Sequence, residues 1–329
     1  MPIAALRLLG VVLLGLLVGC SNTPLTQNLN QSHLEYQPRR LLLKDVPFNP
    51  QQEYQCGPAA LATLLQHQGL TADPEALVAE VYLPARQGSL QMEMLAAARQ
   101  RGLIPHRMEA SLQDLILELQ QGHPVLVFQN LGLTQQPVWH YAVLIGYDLD
   151  LQVFYLHSGT LAEHPTPFAL FERTWRRGDY WAYLLLPSDQ LPATGNMNNH
   201  LQAIHQMELT GQNEVAMTGY LTAAQHWPQE ALPQLMAANQ AWKLQQPEQT
   251  SQLLLNLLKQ QPDNHAAWNN LTHVLEQDTR CPAQAQQAAS CRDQLSETDN
   301  TDKTTGNADS SRCPIQHLPS CPDTEAREP

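Results

Sequence analysis

A single cysteine stands where a polar segment turns into an apolar run of good helix formers. Residues 50–57 are polar and include Cys56, and residues 58–65 read Pro-Ala-Ala-Leu-Ala-Thr-Leu-Leu. Proline suits the first turn of a helix, because its missing N–H would have no partner there. The pattern predicts a helix that begins at Cys56, where the helix dipole favours a thiolate, the nucleophilic form of the side chain. The alternative is a buried structural cysteine.

A histidine opens an apolar stretch much later in the chain. Residues 139–148 read Trp-His-Tyr-Ala-Val-Leu-Ile-Gly-Tyr-Asp, and the run after His140 is typical of a strand that is buried on both faces. A histidine at the mouth of such a strand, facing a cysteine at a helix start, makes the Cys–His pair of nucleophilic catalysis. The two motifs predict that Cys56 attacks and that His140 moves the proton.

Together the motifs resemble a known family. Gln-x4-Cys-Gly-Pro-Ala-Ala, followed by Trp-His-Tyr-Ala-Val-x-Ile-Gly-Tyr-Asp, is similar to the papain-like cysteine peptidases that process double-glycine leaders of bacteriocins. It is closer still to a lipoprotein branch of that family with C-terminal tetratricopeptide repeats. The resemblance implies an α+β domain and a peptide or protein substrate, with no cofactor and no metal. It implies Cys56 as nucleophile, His140 as general base and acid, and Gln51 (alternatively Gln52) as oxyanion donor.

The third catalytic position departs from the family. The strand after the histidine strand usually ends in Asp-Pro in these peptidases, whereas residues 156–160 here read Leu-His-Ser-Gly-Thr. Ser158 or His157 could hold the imidazole instead, because the third group mainly fixes its tautomer and orientation. The departure leaves two alternatives open. One is an inactive peptidase fold that binds peptides or proteins, and the other is a cell-wall amidase with His157 as third member.

The N-terminus has the pattern of an export signal. Residues 1–19 carry Arg7 and then an apolar run of signal-peptide length, too short for a membrane span. Residues 17–20 read Leu-Val-Gly-Cys and match the bacterial lipobox, which implies cleavage before Cys20 and a lipid such as palmitate on its thiol. The alternative is an ordinary secretory signal. Ser21 after the cysteine implies the outer membrane, facing the periplasm, and residues 20–40 are predicted to be a polar tether.

The remaining chain predicts two domains and a tail. Helices followed by an antiparallel sheet predict an α+β papain-like peptidase domain over residues 41–190. Prolines 228 and 262 lie 34 residues apart, which is the length of a tetratricopeptide repeat. This spacing predicts an all-α, tetratricopeptide-like domain over residues 197–295, which would bind a protein partner. Residues 296–329 are predicted to be a disordered tail. Four cysteines fall in these last two regions and suggest disulfides in any of three connectivities: Cys281, Cys291, Cys313 and Cys321.

Charge and histidine spacing exclude other classes of function. The 329 residues carry a formal net charge of −13, which argues against nucleic acid and against a basic membrane-surface patch. The histidines outside the motifs lack the spacing of a zinc site: His67, His106, His123 and His164.

Overall fold

The computed structural model describes residues 23–32, 36–51, 55–278 and 281–301, and only the backbone for Arg86 and residues 297–301. Cys20, Gln52, Cys313 and Cys321 lie outside the described residues. The chain divides into two compact units. The first comprises residues 1–98, 105–185 and 192–195, and the second comprises the rest. The domain limits predicted from the sequence stay a prediction.

A seven-stranded sheet is the framework of the first unit. Its order is β4-β9-β5-β6-β7-β8. Strand β1 lies on the same side of β6 as β5 and pairs with the end of β6, after the part that pairs with β5. The pairs β1–β6, β5–β6, β5–β9, β6–β7 and β7–β8 are antiparallel. The strand bounds are β1 Arg40–Leu42, β4 Ile104–Arg107, β5 Val125–Asn130, β6 Trp139–Asp148, β7 Val153–Ser158, β8 Leu161–Pro167 and β9 Ala182–Leu186, and a separate two-stranded sheet joins β2 Tyr82–Leu83 to β3 Gly88–Ser89.

Six helices accompany these strands. Helix α2 buries Gly57 through Leu65 without a break, and it packs on β6, whose residues after Trp139 are all buried. Helix α6 packs Phe171 and Trp175 on the sheet next to Phe154. Apolar contacts on the two helices thus fix the sheet that holds the histidine strand. The helix bounds are α1 Pro24–Gln31, α2 Cys56–His67, α3 Pro74–Val81, α4 Gln91–Gln100, α5 Leu112–Gln120 and α6 Phe168–Arg177.

The α+β class predicted from the sequence is confirmed, with differences in detail. The sequence pattern did not reveal β8 or α6, and it left β9 as the strand that closes the sheet. Instead β9 lies between β4 and β5, and β8 is an edge strand. Residues 24–31, which the pattern assigns to a tether, form α1. The segment is polar in composition, and its burial depends on distant residues of α6.

The second unit consists of helices, so the all-α class of the C-terminal region is confirmed. Helices α7, α9 and α11 begin at residues 197, 231 and 265, and they end at 209, 243 and 277. Helices α8 and α10 span 213–226 and 247–260, so the bounds of all five repeat every 34 residues. Helix α12 runs to Thr301, and the first six residues of the predicted tail are therefore helical. The bounds are α7 Met197–Leu209, α8 Asn213–His226, α9 Ala231–Lys243, α10 Pro247–Gln260, α11 His265–Gln277 and α12 Pro282–Thr301.

Disulfide chemistry is confined to the second unit in the described part of the chain. Cys281 and Cys291 are disulfide-bonded and buried, and Cys56 is a free thiol. Cys291 lies ten positions after Cys281, and the whole of the intervening segment belongs to α12. At a rise of about 1.5 Å per residue they lie about 15 Å apart, which is beyond the reach of one disulfide. A connectivity that joins Cys281 to Cys291 is therefore excluded.

Candidate active site

The nucleophile candidate occupies the first position of α2. Gln55 is the N-cap residue and Cys56 begins the helix. The helix can start here because residue 57 is a glycine: a Cβ at Gly57 would lie 2.6 Å from the Cβ of Ser89, which belongs to β3. The Cys–Gly pair thus allows α2 and β3 to pack closely at the sulfur. Backbone N–H groups of Cys56 itself, of Gly57 and of Tyr141 interact with the sulfur.

The histidine candidate lies at the second position of β6. Its side chain is buried, with 7% exposed, and Nε2 of His140 lies 2.9 Å from Oγ of Ser158. The pairing of Val143 with His157 fixes the register of β6 and β7. Side chains alternate between the faces of a strand, so His140 and Ser158 share one face. Ser158 is thus the side chain that contacts the His140 ring from β7.

The neighbouring His157 has other partners. Its Nε2–H donates to the carbonyl oxygen of Val46 at 3.2 Å, and its Nδ1 accepts from the N–H of Glu163 at 3.3 Å. Its ring packs against Phe48 at a centroid distance of 5.1 Å. Both ring nitrogens are therefore engaged by the backbone. Of the two sequence candidates for the third position, Ser158 contacts His140 and His157 does not.

A small pocket opens beside Cys56. The backbone N–H of Gln51 donates to the carbonyl oxygen of Gly159 at 3.2 Å, which brings Gln51 to the end of β7. The Gln51 amide lies 3.8 Å from the place that a Cβ on Gly159 would occupy. Gln51 therefore reaches the same pocket as the sulfur. The lining residues are Phe48, Asn49, Gln51, Cys56, Ala59, Ala60, Thr63, Tyr141, Val143, His157 and Gly159.

Burial controls the charge of the candidate pair. Burial raises the pKa of the Cys56 thiol, and the surrounding backbone N–H groups oppose this only in part. Burial also lowers the pKa of His140 to about 4. The free site therefore holds a thiol and a neutral imidazole at neutral pH. This differs from the thiolate that the helix N-terminus suggested, because desolvation outweighs the dipole and N–H terms.

The structure brings most of the predicted residues to one end of the sheet. Cys56 and Gln51 line one pocket, and His140 and Ser158 are hydrogen bonded at the adjoining strand ends. Among the hydrogen bonds of the described residues, none joins Sγ of Cys56 to the ring of His140. The backbone N–H of Tyr141 was not foreseen, although its position directly after the histidine was the available signal. The described residues contain no group of three or more His, Cys, Asp or Glu side chains suited to a metal.

An antiparallel sheet with a cysteine at a helix start and a histidine at a strand entrance defines a papain-like cysteine peptidase fold. Residues 43–180 match the sequence model of the Peptidase_C39 like family, which confirms the resemblance for that part of the chain. No curated protein matches the chain.

Solved structures of such peptidases are similar to less than half of the chain. A C39-like peptidase from Bacillus anthracis is 19% identical with a TM-score of 0.37, and the match covers 45% of this chain and 97% of that one. A double glycine motif protease from an AMS/PCAT transporter, in complex with the leader peptide, is 21% identical over 43% and 91%, with a TM-score of 0.32. The peptidase domain of Streptococcus ComA, a bi-functional ABC transporter in a quorum-sensing pathway, is 22% identical over 43% and 98%, with a TM-score of 0.35.

Proposed function

We propose that the first unit is a cysteine peptidase that cleaves a peptide bond through a thioester on Cys56. The sulfur attacks the carbonyl carbon, and Nδ1 of His140 takes the thiol proton. The imidazole then gives that proton to the leaving amine as the C–N bond breaks. A water molecule attacks the thioester, His140 takes a proton from it, and the restored thiol leaves with that proton.

The observation that carries this proposal is the hydrogen bond between His140 and Ser158. In the tautomer that this proposal requires, the Nε2 proton is directed to the Ser158 oxygen, and Nδ1 is unprotonated and free to act as base. A neutral hydroxyl can fix the tautomer and the ring orientation, which is the main role of the third group. Ser158 is thus a positioning residue that takes the place of the missing carboxylate.

Gln51 is the proposed oxyanion donor. Its amide lies at the pocket that contains Cys56. Backbone N–H groups at the start of α2 add further donors on the same side. Such donors act on the charge that develops on the carbonyl oxygen, so they accelerate the reaction without changing the thiol itself.

The charge states of the pair define the type of catalysis. A neutral thiol and a neutral imidazole require proton transfer during attack, in contrast to a preformed thiolate–imidazolium pair. Hydrogen bonds between catalytic groups are often long in free enzymes and shorten in the substrate complex. In this proposal, peptide binding brings the sulfur and Nδ1 together.

A second candidate function is a peptide-binding module on an inactive peptidase fold. It is favoured by the raised pKa of Cys56 and by the absence of a Cys56–His140 hydrogen bond within the described part of the chain. The amidase alternative has less support, since it needs His157 against His140, and His157 is bonded to Val46 and Glu163.

A peptide library separates peptidase from binding module. The full chain is incubated with peptides derived from a bacterial proteome, and new termini are identified by mass spectrometry. Cys56→Ala should abolish cleavage, His140→Ala should reduce it by about 10²- to 10⁴-fold, and Gln51→Ala by about 100-fold. Ser158→Ala should reduce it by about 10- to 100-fold, since positioning contributes only part of the His140 effect. The exposed His164→Ala is the control, with cleavage unchanged.

The alternatives give distinct results in that experiment. Cleavage that persists in Cys56→Ala would refute the catalytic assignment. Peptides that are retained intact, equally by the wild type and by Cys56→Ala, would identify a binding module. Release of peptides from peptidoglycan, with the library untouched, would identify an amidase.

We further propose that the chain is anchored by a lipid on Cys20 at the outer membrane, facing the periplasm, and that the second unit is a tetratricopeptide-like array that binds a protein partner. The lipobox supports the anchor, and the 34-residue period of the helix bounds supports the array. Mass spectrometry of the mature N-terminus tests the anchor. Residues before Cys20 in the mature protein, or a Cys20→Ser variant that stays with the membrane, would contradict it. In the described part of the chain, no helix is long and apolar enough to cross a bilayer.

A further inference from the structure

Four large apolar side chains are exposed together on the loop that joins β5 to β6. The segment of residues 131–139, which is this loop together with the first residue of β6, is called the β5–β6 hairpin below. Between 49% and 67% of each side chain's surface is accessible, and these residues are Leu131, Leu133, Val138 and Trp139. Leu131 and Val138 are paired across the hairpin, and the indole of Trp139 stacks on the ring of Phe128 at a centroid distance of 5.2 Å. Exposed apolar side chains gathered on one short segment mark a place where another surface binds. The hairpin is therefore a candidate contact surface.

The hairpin is held in this exposed conformation by hydrogen bonds at its base. The side-chain oxygen of Asn130 accepts from the N–H groups of Gly132 at 3.0 Å and of Val138 at 2.9 Å. The guanidinium of Arg177 donates to the carbonyl oxygen of Asn130 at 2.8 and 3.1 Å. Asn130 is 2% exposed. Because its base is tied in this way, the hairpin presents its apolar side chains outward.

The first described residues of the chain are fixed on α6 by a buried carboxylate. Glu172 is fully buried and accepts from the N–H of Leu25 at 3.0 Å. It also accepts from the N–H of Thr26 at 2.8 Å and from the hydroxyl of the same residue at 2.6 Å. Three of the donors at the start of α1 are thus satisfied by one residue of α6, which docks α1 on the unit.

The contacts also give the direction of α1. Its last turn lies near the β6–β7 turn, where Gln152 donates to the side chain of Asn30 at 3.1 Å. Helix α6 begins at that same turn, since the N–H of Phe168 donates to the carbonyl oxygen of Gln152 at 2.9 Å. The start of α1 lies further along α6, at Glu172. The two helices therefore run antiparallel, and the start of α1 points toward the end of α6, where Arg177 holds the hairpin.

The start of α1 therefore points toward the side of the unit that carries the hairpin. Cys20 is three residues before Thr23, so its reach from that point is at most about 10 Å. Arg176 and Arg177 add positive charge in the last turn of α6. The start of α1, the apolar hairpin and these cationic side chains thus lie toward one end of the unit.

We propose that the β5–β6 hairpin inserts its apolar side chains into the interface of the lipid bilayer that carries the Cys20 anchor. The proposal rests on the lipid anchor proposed above. Leucine and valine side chains suit the acyl boundary, and an amphipathic tryptophan suits the headgroup level. Because Trp139 directly precedes His140, the entrance of the candidate site would lie at the membrane surface. The substrate would then be a polypeptide segment that lies close to the bilayer.

A fluorescent residue at the hairpin tests the insertion. Leu133→dansylalanine is compared with Leu151→dansylalanine in the full acylated chain, bound to vesicles of phosphatidylethanolamine and phosphatidylglycerol. Leu133 and Leu151 are 67% and 66% exposed, and Leu151 lies in the turn at the opposite end of β6. We expect a blue-shifted emission that is quenched by brominated acyl chains at position 133, and a water-like emission at position 151. A water-like emission at both positions would overturn the proposal.

Failure of the anchor and failure of the insertion are distinguishable. A full chain that does not bind vesicles, with the wild type equal to Cys20→Ser, refutes the anchor and with it the insertion. A chain that binds vesicles but leaves position 133 in water refutes the insertion alone. A peptide substrate on the hairpin is the remaining outcome. It would appear as a loss of kcat/KM in Leu133→Ser on a soluble peptide without vesicles, at least fivefold, with position 133 still water-exposed on vesicles.

Discussion

The buried histidine should make the stability of the protein depend on acid in a defined range. Burial lowers the pKa of His140 from 6.5 to about 4, and among the described residues no carboxylate is hydrogen bonded to the ring to oppose this effect. As the pH falls, the unfolded chain binds the proton near pH 6.5, whereas the folded chain resists it until about pH 4. The contribution to stability is therefore fully present above about pH 6.5 and is lost as the pH falls to about 4.

The size of the effect follows from the two pKa values. The gap between them corresponds to about 3 kcal/mol of unfolding free energy. Of this, about 2 kcal/mol is lost between pH 7 and pH 4.5. The side chain is only 7% exposed, so solvent screening removes little of it. Relative to a variant with an uncharged residue at position 140, the wild type should lose this amount of unfolding free energy between pH 7 and pH 4.5.

Urea unfolding of the full chain at pH 7 and pH 4.5 measures the difference between the wild type and His140→Gln. The variant removes the titrating group and keeps a polar side chain near Ser158. Thr272→Ala is the control, because Thr272 is buried in α11 of the second unit and does not titrate. Its pH dependence should match the wild type. If the wild type and His140→Gln lost the same free energy between the two pH values, the assignment of a depressed histidine pKa would be refuted.

Three further predictions concern residues around the site. Cys56 should react with iodoacetamide more slowly at pH 7 than an exposed cysteine in a peptide, with the rate rising in the alkaline range, because burial raises its pKa; an alkylation midpoint below pH 7 would contradict this. Gly57→Ala should destabilise the protein by about 1–3 kcal/mol in urea unfolding, since the added Cβ would meet Ser89. Gly69→Ala is the comparison: its added Cβ would meet no other atom, so any loss of stability there comes from the positive φ of +75° and not from a clash. Glu172→Gln should release α1, seen as faster hydrogen exchange over residues 24–31 and a cost of about 1–3 kcal/mol; unchanged exchange would show that apolar contacts alone dock the helix.

The sequence contained enough to predict the parts of the site that depend on local pattern. The change from polar to apolar residues at Cys56 predicts the start of α2, and the apolar run after His140 predicts β6. Both motifs depend on one segment each, so periodicity and capping rules apply directly. The repeat at 34 residues likewise follows from spacing alone.

The parts that the sequence did not reveal depend on distant partners. Helix α1 is polar in composition, and it is fixed by Glu172, about 146 residues away in the chain. The N–H of Tyr141 reaches the sulfur only through the packing of α2 on β6. The charge state of Cys56 was also missed, because the dipole of α2 can be read from the sequence, whereas the depth of burial that outweighs it cannot.

The missing carboxylate and the low pKa of the histidine have one physical origin. A buried carboxylate beside an imidazole stabilises the protonated ring, and at position 158 a hydroxyl stands in its place, so desolvation acts alone. Ser158→Asp should therefore raise the pKa of His140 by about 1–3 units and allow the imidazolium to form nearer neutral pH. The positive charge on the His140 ring should in turn lower the pKa of Cys56 and accelerate its alkylation at pH 7. An NMR titration of the His140 ring and an alkylation profile measure the two effects, with Ser158→Asn as the neutral control of similar shape. A ring that titrates identically in both variants would show that the residue at position 158 does not control the charge of His140, and that the serine is not the functional substitute for the family's aspartate.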